Sequence, residues 1–129
     1  MHNGPKLLIV EDSSATRDYY KMFLEEKGIQ VIEAYNGLEA LEKLTEMNFD
    51  AAVVDINMPK MDGYQFIREL RRGESKYKTP VAVVSSESKL SDQQLAYQAG
   101  ANAYLIKPVR PEQLEGLLYL FGVTFREGG

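Results

Sequence analysis

The chain has 129 residues, the length of one ordinary domain, with 44% hydrophobic residues and no cysteine. The missing cysteines exclude disulfides and thiolate metal sites and fit a reducing, cytoplasmic setting; mean hydropathy is -0.32, and no apolar run approaches the ~20 residues that span a bilayer. A net charge of -4 gives no electrostatic reason to expect nucleic-acid binding, and the single histidine, His2, argues against a histidine-ligated metal or a Ser-His-Asp triad. The first ten residues lack a basic region followed by a long apolar run, so no signal peptide is expected.

Lys6–Val10 is a short apolar run that reads as a strand and ends on Glu11-Asp12. Ser13 or Ser14 can cap a helix running to about Lys27, which Gly28 stops. Tyr19 and Phe23 share a stripe of that helix, with Tyr20 and Leu24 beside it, and this aromatic face is predicted to pack on a sheet. Gln30–Ala34 is a more polar strand suited to a sheet edge. Asn36 can cap a second helix with Leu38, Leu41 and Leu44 as its apolar positions. Ala51–Val54 is a third strand, followed by Asp55 within Val53-Val54-Asp55-Ile56-Asn57-Met58-Pro59. Asp62 can cap a third helix that turns Phe66, Ile67 and Leu70 inward. Val81–Val84 reads as a fourth strand, followed by Ser85. Ser88 or Ser91 can start a fourth helix, which Gly100 ends. Ala103–Ile106 is a fifth strand leading into Lys107-Pro108, and Pro111 fits the first turn of a fifth helix carrying Leu114, Leu117, Leu118 and Phe121. Residues 1–123 read as the domain and 124–129 as a tail or linker stub, with no internal repeat.

Four of the five strands lack polar alternation and read as covered on both faces, the pattern of a parallel sheet. Five strands each followed by a helix predict an α/β fold, a (βα)5 doubly wound five-stranded sheet. The flavodoxin-like order 2-1-3-4-5 sets the first and third strands side by side. Glu11-Asp12 and Asp55 end those two strands. Three carboxylates gathered there repel one another unless a cation sits between them, so the pattern predicts a divalent metal site with one aspartate poised for chemistry.

These residues, taken in order on their strand ends, resemble a response-regulator receiver domain of two-component signalling, of the chemotaxis-regulator kind. The matching positions are Glu11-Asp12, Asp55 with Met58-Pro59 and Asp62-Gly63, Ser85, and Lys107-Pro108. The resemblance implies that Asp55 is the phosphoacceptor, attacking phosphorus to form an aspartyl phosphate. It implies Mg2+ held by Glu11, Asp12, Asp55 and the Asn57 backbone carbonyl, an oxygen set suited to that ion. Receivers more often show two aspartates where Glu11-Asp12 stands. Lys107 would pair with Asp55 and then with a phosphoryl oxygen; the Lys107–Pro108 bond is a candidate cis peptide. Ser85, chosen over Ser86 by the resemblance, would donate its hydroxyl to the phosphoryl group. Tyr104 matches the switch aromatic, and Asn57 and Glu87 the positions that tune phosphate lifetime, here toward a short one.

The implied donor is a histidine kinase or histidine phosphotransfer protein. The implied output is an unknown downstream protein, reached through the face of the fourth helix, fifth strand and fifth helix near Tyr97, Tyr104 and Leu117. No nucleic acid or membrane partner is expected, and the assembly would be a monomer or an activation-dependent dimer. Catalysis would extend only to the chain's own phosphorylation and dephosphorylation. Two rival readings are a degenerate receiver that only docks proteins and an aspartate-nucleophile phosphatase. The phosphatase needs a second aspartate two residues after Asp55, where Asn57 stands.

Overall fold

The computed structural model describes residues 4–56, 62–73 and 79–124. Strands and helices alternate as β1 (Lys6–Val10), α1 (Ser14–Glu26), β2 (Gln30–Ala34), α2 (Gly37–Glu46), β3 (Ala51–Asp55), α3 (Gly63–Arg72), β4 (Val81–Ser85), α4 (Leu90–Ala99), β5 (Ala103–Ile106) and α5 (Pro111–Leu120). The strands form one parallel sheet in the order β2-β1-β3-β4-β5. This is the flavodoxin-like arrangement.

The strands are apolar at successive positions because helices cover both sheet faces. Leu8, Val10, Ala52, Val54, Val81 and Val83 point into one core layer with Phe66, Ile67 and Leu70 of α3. Leu7, Ile9, Val53, Ala82 and Val84 point into the other, with Tyr20 and Leu24 of α1 and Leu114 and Leu118 of α5. The side-chain period of two sends alternate residues of each strand to opposite layers.

Three helices start on the caps the sequence offers. Ser13 accepts from the Thr16 N–H, Asn36 from Glu39 and Asp62 from Gln65. Each such bond satisfies an orphan donor and is worth about 1 kcal/mol. Gly100 ends α4 at φ +119, in the left-handed region that favours glycine. The Lys107–Pro108 peptide bond is cis.

Several expectations need correction. β3 and β4 each run one residue further than read, through Asp55 and Ser85, because the ladder still pairs them with Val84 and Ile106. Neither Ser88 nor Ser91 caps α4: the capping position is Lys89, which makes no side-chain cap bond, and Ser91 lies inside the first turn. β5 is only partly covered: it is the second sheet edge, with Tyr104 packed toward one layer and Ala103 and Leu105 toward the other, and Ile106 is 41% exposed. Leu38 is exposed, leaving Leu41 and Leu44 to carry the inward side of α2. On α1, Tyr20 and Leu24 enter the core while Tyr19 stays 43% exposed, its hydroxyl donating to the Val109 carbonyl at 3.3 Å.

One arginine ties the far end of the sheet together. Arg71, in the last turn of α3, donates to the Gly100 carbonyl through Nε at 3.0 Å and Nη2 at 2.8 Å, and to the Thr79 carbonyl through Nη1 at 2.8 Å. Its Nη2 also reaches Asn102 Oδ1 at 2.7 Å, the same oxygen that accepts the Val81 N–H. Burial lowers the pKa of the guanidinium below its ordinary value. Arg71→Met is expected to lower stability by about 2–4 kcal/mol, because it strands two carbonyls that a methionine cannot satisfy. Urea unfolding would show the shifted midpoint; Arg71→Lys should recover little, since an ammonium cannot hold all three acceptors.

Candidate functional site

The site follows from strand register. Leu7–Val10 of β1 pair with Ala51–Val54 of β3, so the next residues, Glu11 just past β1 and Asp55 closing β3, stand side by side at one sheet end. Lys107 leaves β5 two strand spacings from β3, roughly 10 Å, a gap its long stem can reach. Its backbone N–H donates to the Ser85 carbonyl at 2.8 Å.

The charged groups converge. Glu11, Asp12 and Asp55 each offer a carboxylate oxygen, all within 4.8 Å of one another. Lys107 Nζ lies 3.2 Å from Asp55 Oδ2 and 3.9 Å from Glu11 Oε1. Glu11 is 4% exposed and Asp55 5%, while Asp12 faces solvent. Burial pushes the Glu11 carboxyl up to about 7. The Ser13 N–H bond opposes that rise, Asp12 and Asp55 add to it, and Lys107 opposes it. Three oxygen donors this close, with no nitrogen or sulfur ligand among them, suit a hard divalent cation, and Mg2+ fits the set.

Ser85 is buried at the end of β4, and Ser86 is exposed. Ser85 Oγ accepts the Glu87 N–H at 3.0 Å. Tyr104 is half-buried against the core layer of α3, and its hydroxyl donates to the Glu87 carbonyl at 2.9 Å. Glu87 is therefore gripped on both sides of its backbone, by Ser85 and by Tyr104, while its side chain is exposed. Asn57, Met58, Pro59 and His2 lie outside the described residues.

One contributor, Arg17, escaped the sequence reading; Gly63 entered it only as a matching position, without its packing role. Gly63 opens α3 directly beneath the end of β3, where an added Cβ would stand 2.6 Å from the Asp55 carbonyl oxygen. Arg17 of α1 is 7% exposed and donates through Nη1 to the Glu11 carbonyl at 2.7 Å. A basic residue on a helix reads as a solvated charge, and nothing local marks it as buried.

A family model described as the response regulator receiver domain matches residues 7–119. Protein PilG of Pseudomonas aeruginosa is 33% identical over 116 residues, covering 90% of this chain and 86% of PilG. Response regulator GtcR of Aneurinibacillus migulanus is 35% identical over 105 residues, covering 81% of this chain and 42% of GtcR. The chain thus spans less than half the length of GtcR, and the same holds for the Bacillus subtilis regulator ResD. Among solved structures, Vibrio cholerae chemotaxis protein CheY4 matches with a TM-score of 0.87 at 32% identity, covering 92% of this chain and 98% of that one. The receiver domain of sensor histidine kinase PA1611 from Pseudomonas aeruginosa, with a magnesium ion coordinated in its active site cleft, matches with a TM-score of 0.84 at 28% identity, covering 92% and 97%. The chain belongs to the response regulator receiver domain family, the switch modules of two-component signalling. Among the described residues, no helix is long and apolar enough to cross a membrane.

Proposed function

We propose that this receiver accepts a phosphoryl group on Asp55 from a phosphohistidine of a histidine kinase or histidine phosphotransfer protein. The observation that carries the reading is the convergence of three carboxylates within 4.8 Å, with Lys107 Nζ 3.2 Å from Asp55 Oδ2. Glu11, Asp12 and Asp55 would hold Mg2+, with the Asn57 carbonyl as the further ligand the resemblance implies. When bound, the ion offsets the charge of the acidic cluster and of the incoming phosphoryl oxygens.

An Asp55 carboxylate oxygen attacks phosphorus in line, and the bond from phosphorus to the donor imidazole nitrogen breaks as the new one forms. The bonding pair leaves with the imidazole. Lys107 exchanges its Asp55 partner for a phosphoryl oxygen, a compact cation suited to that role. Ser85 turns its hydroxyl to the same group and so lets go of the Glu87 N–H. That release loosens the residue to which Tyr104 is bonded. The change reaches α4, β5 and α5 because phosphorylated and free states then hold the β4–α4 connection differently. Tyr97, Tyr104 and Leu117 mark the face that would meet the downstream protein, as a monomer or through an activation-dependent dimer. Hydrolysis resets the switch, with Asn57 and Glu87 tuning a short lifetime.

Phosphoramidate, which carries a phosphorus–nitrogen bond like the donor's, tests the reading in the presence of MgCl2. Intact-protein mass spectrometry should show the gain of one alkali-labile phosphoryl group. Asp55→Asn should show none; labelling of that variant at the parent's rate overturns the proposal.

A further inference from the structure

Arg17 stands out among the buried charged residues because it lies against the acidic loop without belonging to it. Its guanidinium makes three kinds of contact. Nη1 donates to the Glu11 carbonyl at 2.7 Å. Nε donates to Glu33 Oε1 at 3.1 Å. Its Cζ sits 4.8 Å from the centroid of the Tyr35 ring.

Glu33 and Tyr35 belong to the edge strand β2 and its exit, so Arg17 is braced on β2 while it grips β1. The Glu11 N–H donates to the Ala34 carbonyl at 3.0 Å. The Glu11 backbone is thereby fixed on both sides: by β2 at its N–H and by Arg17 at its carbonyl. That carbonyl is half of the peptide joining Glu11 to Asp12. Its orientation sets where the Asp12 backbone begins and hence where the Asp12 carboxylate can reach.

A bare guanidinium next to three carboxylates would repel an incoming divalent cation. Here the Arg17 charge is offset by Glu33, which also lies 3.5 Å from Lys21 Nζ. Arginine supplies a rigid fork that lysine lacks, and Glu33 cancels most of the field the fork would otherwise bring.

We infer that Arg17 is a positioning residue for the cation site: it locks the Glu11–Asp12 peptide in the orientation that presents both carboxylates to Mg2+, and Glu33 neutralises it for that purpose. The inference rests on the magnesium reading proposed above. Groups that orient metal ligands without touching the metal commonly change affinity by about 10–100-fold when removed.

The probe is MgCl2 alone, titrated into 15N-labelled full chain well below its melting temperature. The dissociation constant is read from the amide shifts of Asp12 and Ser13, at low salt and in molar KCl. Arg17→Met is expected to weaken Mg2+ about tenfold in molar KCl, because it removes geometry, and by less at low salt, where the unmasked Glu33 carboxylate favours the cation. Glu33→Gln is expected to weaken it at low salt and to recover in KCl, because it unmasks a charge that salt screens. A purely structural Arg17 would lower the melting temperature and leave the dissociation constant alone, so an Arg17→Met protein within twofold of the parent in molar KCl, where the Glu33 charge is screened, overturns the inference. If that variant does not fold, Arg17→Lys takes its place; it keeps the charge but cannot span both acceptors. About threefold weaker binding is then expected, and a parent-like constant overturns the inference. A parent chain whose amides ignore MgCl2 overturns this inference and the magnesium reading together.

Discussion

Gly63→Ala is expected to lower stability by about 2–4 kcal/mol and to slow phosphoryl uptake on Asp55, although the change adds one methyl group. The new Cβ would stand 2.6 Å from the Asp55 carbonyl oxygen and 2.8 Å from Ile56 Cα. Both are backbone atoms, so no side-chain rotation relieves the clash. The Gly63 N–H donates to the Ile56 carbonyl at 3.0 Å, and separating the two segments breaks that bond as well. Helix α3 would have to move away from the end of β3, taking Asp55 out of register with Glu11 and Lys107. Gly116 is the matched control. It sits in α5 with nothing within 4 Å of its virtual Cβ. Gly116→Ala should stabilise by about 0.5–1 kcal/mol, since alanine loses less backbone entropy in a helix. Urea midpoints of the two variants should therefore move in opposite directions. A Gly63→Ala midpoint equal to the parent's would mean that α3 can slide on the sheet without cost.

The contrast between those two glycines shows where sequence reading stops. Both lie in helices, and although Gly63 follows Asp62 in the matching motif, only the packing of α3 against the β3 exit shows why a methyl group is excluded there. Arg17 and Arg71 are hidden for the same reason. Each reads as an ordinary charge on an amphipathic helix, yet each turns its guanidinium back onto carbonyls from other elements. The strand ends behaved differently. Glu11, Asp12, Asp55 and Lys107 all follow short apolar runs, and a parallel sheet necessarily delivers such residues to one edge. Their convergence could be read because topology alone produces it. The strand order itself came from the fold class, not from the residues. The error on β5 has the same root: Ala103–Ile106 is as apolar as the central strands, and only its place at the sheet edge exposes Ile106. Likewise Lys89 leads α4 in place of a serine: its backbone is extended there, φ -69 and ψ 143, and no side-chain cap bond is made.

Magnesium affinity is expected to fall by roughly 20–30-fold between pH 7.5 and pH 5.5, as protons compete for Glu11. Burial, with Asp12 and Asp55 nearby, raises that carboxyl from 4.5 to about 7 in the metal-free protein. Below pH 4.5 the group is protonated in both folded and unfolded chains and creates no pH dependence. Between 4.5 and 7 the unfolded chain releases the proton while the folded one keeps it. The folded state then binds more protons, so stability declines as pH rises through this window and the loss is complete above about 7. The Glu11→Gln variant lacks this loss. In chelator, its stability relative to the parent should grow by about 2 kcal/mol from pH 5 to pH 8. Added Mg2+ should reverse the ranking at pH 8, because the ion favours the folded parent by mass action and the amide is the poorer ligand. Lys107→Met sharpens the test: Lys107 holds the Glu11 pKa down, so its removal should move the midpoint of the magnesium pH profile upward. Calorimetric magnesium titrations at several pH values, with chelator melts alongside, provide the measurement. A pH-independent affinity would show that Glu11 is already ionised in the free protein and that the cluster is wetter than its geometry implies.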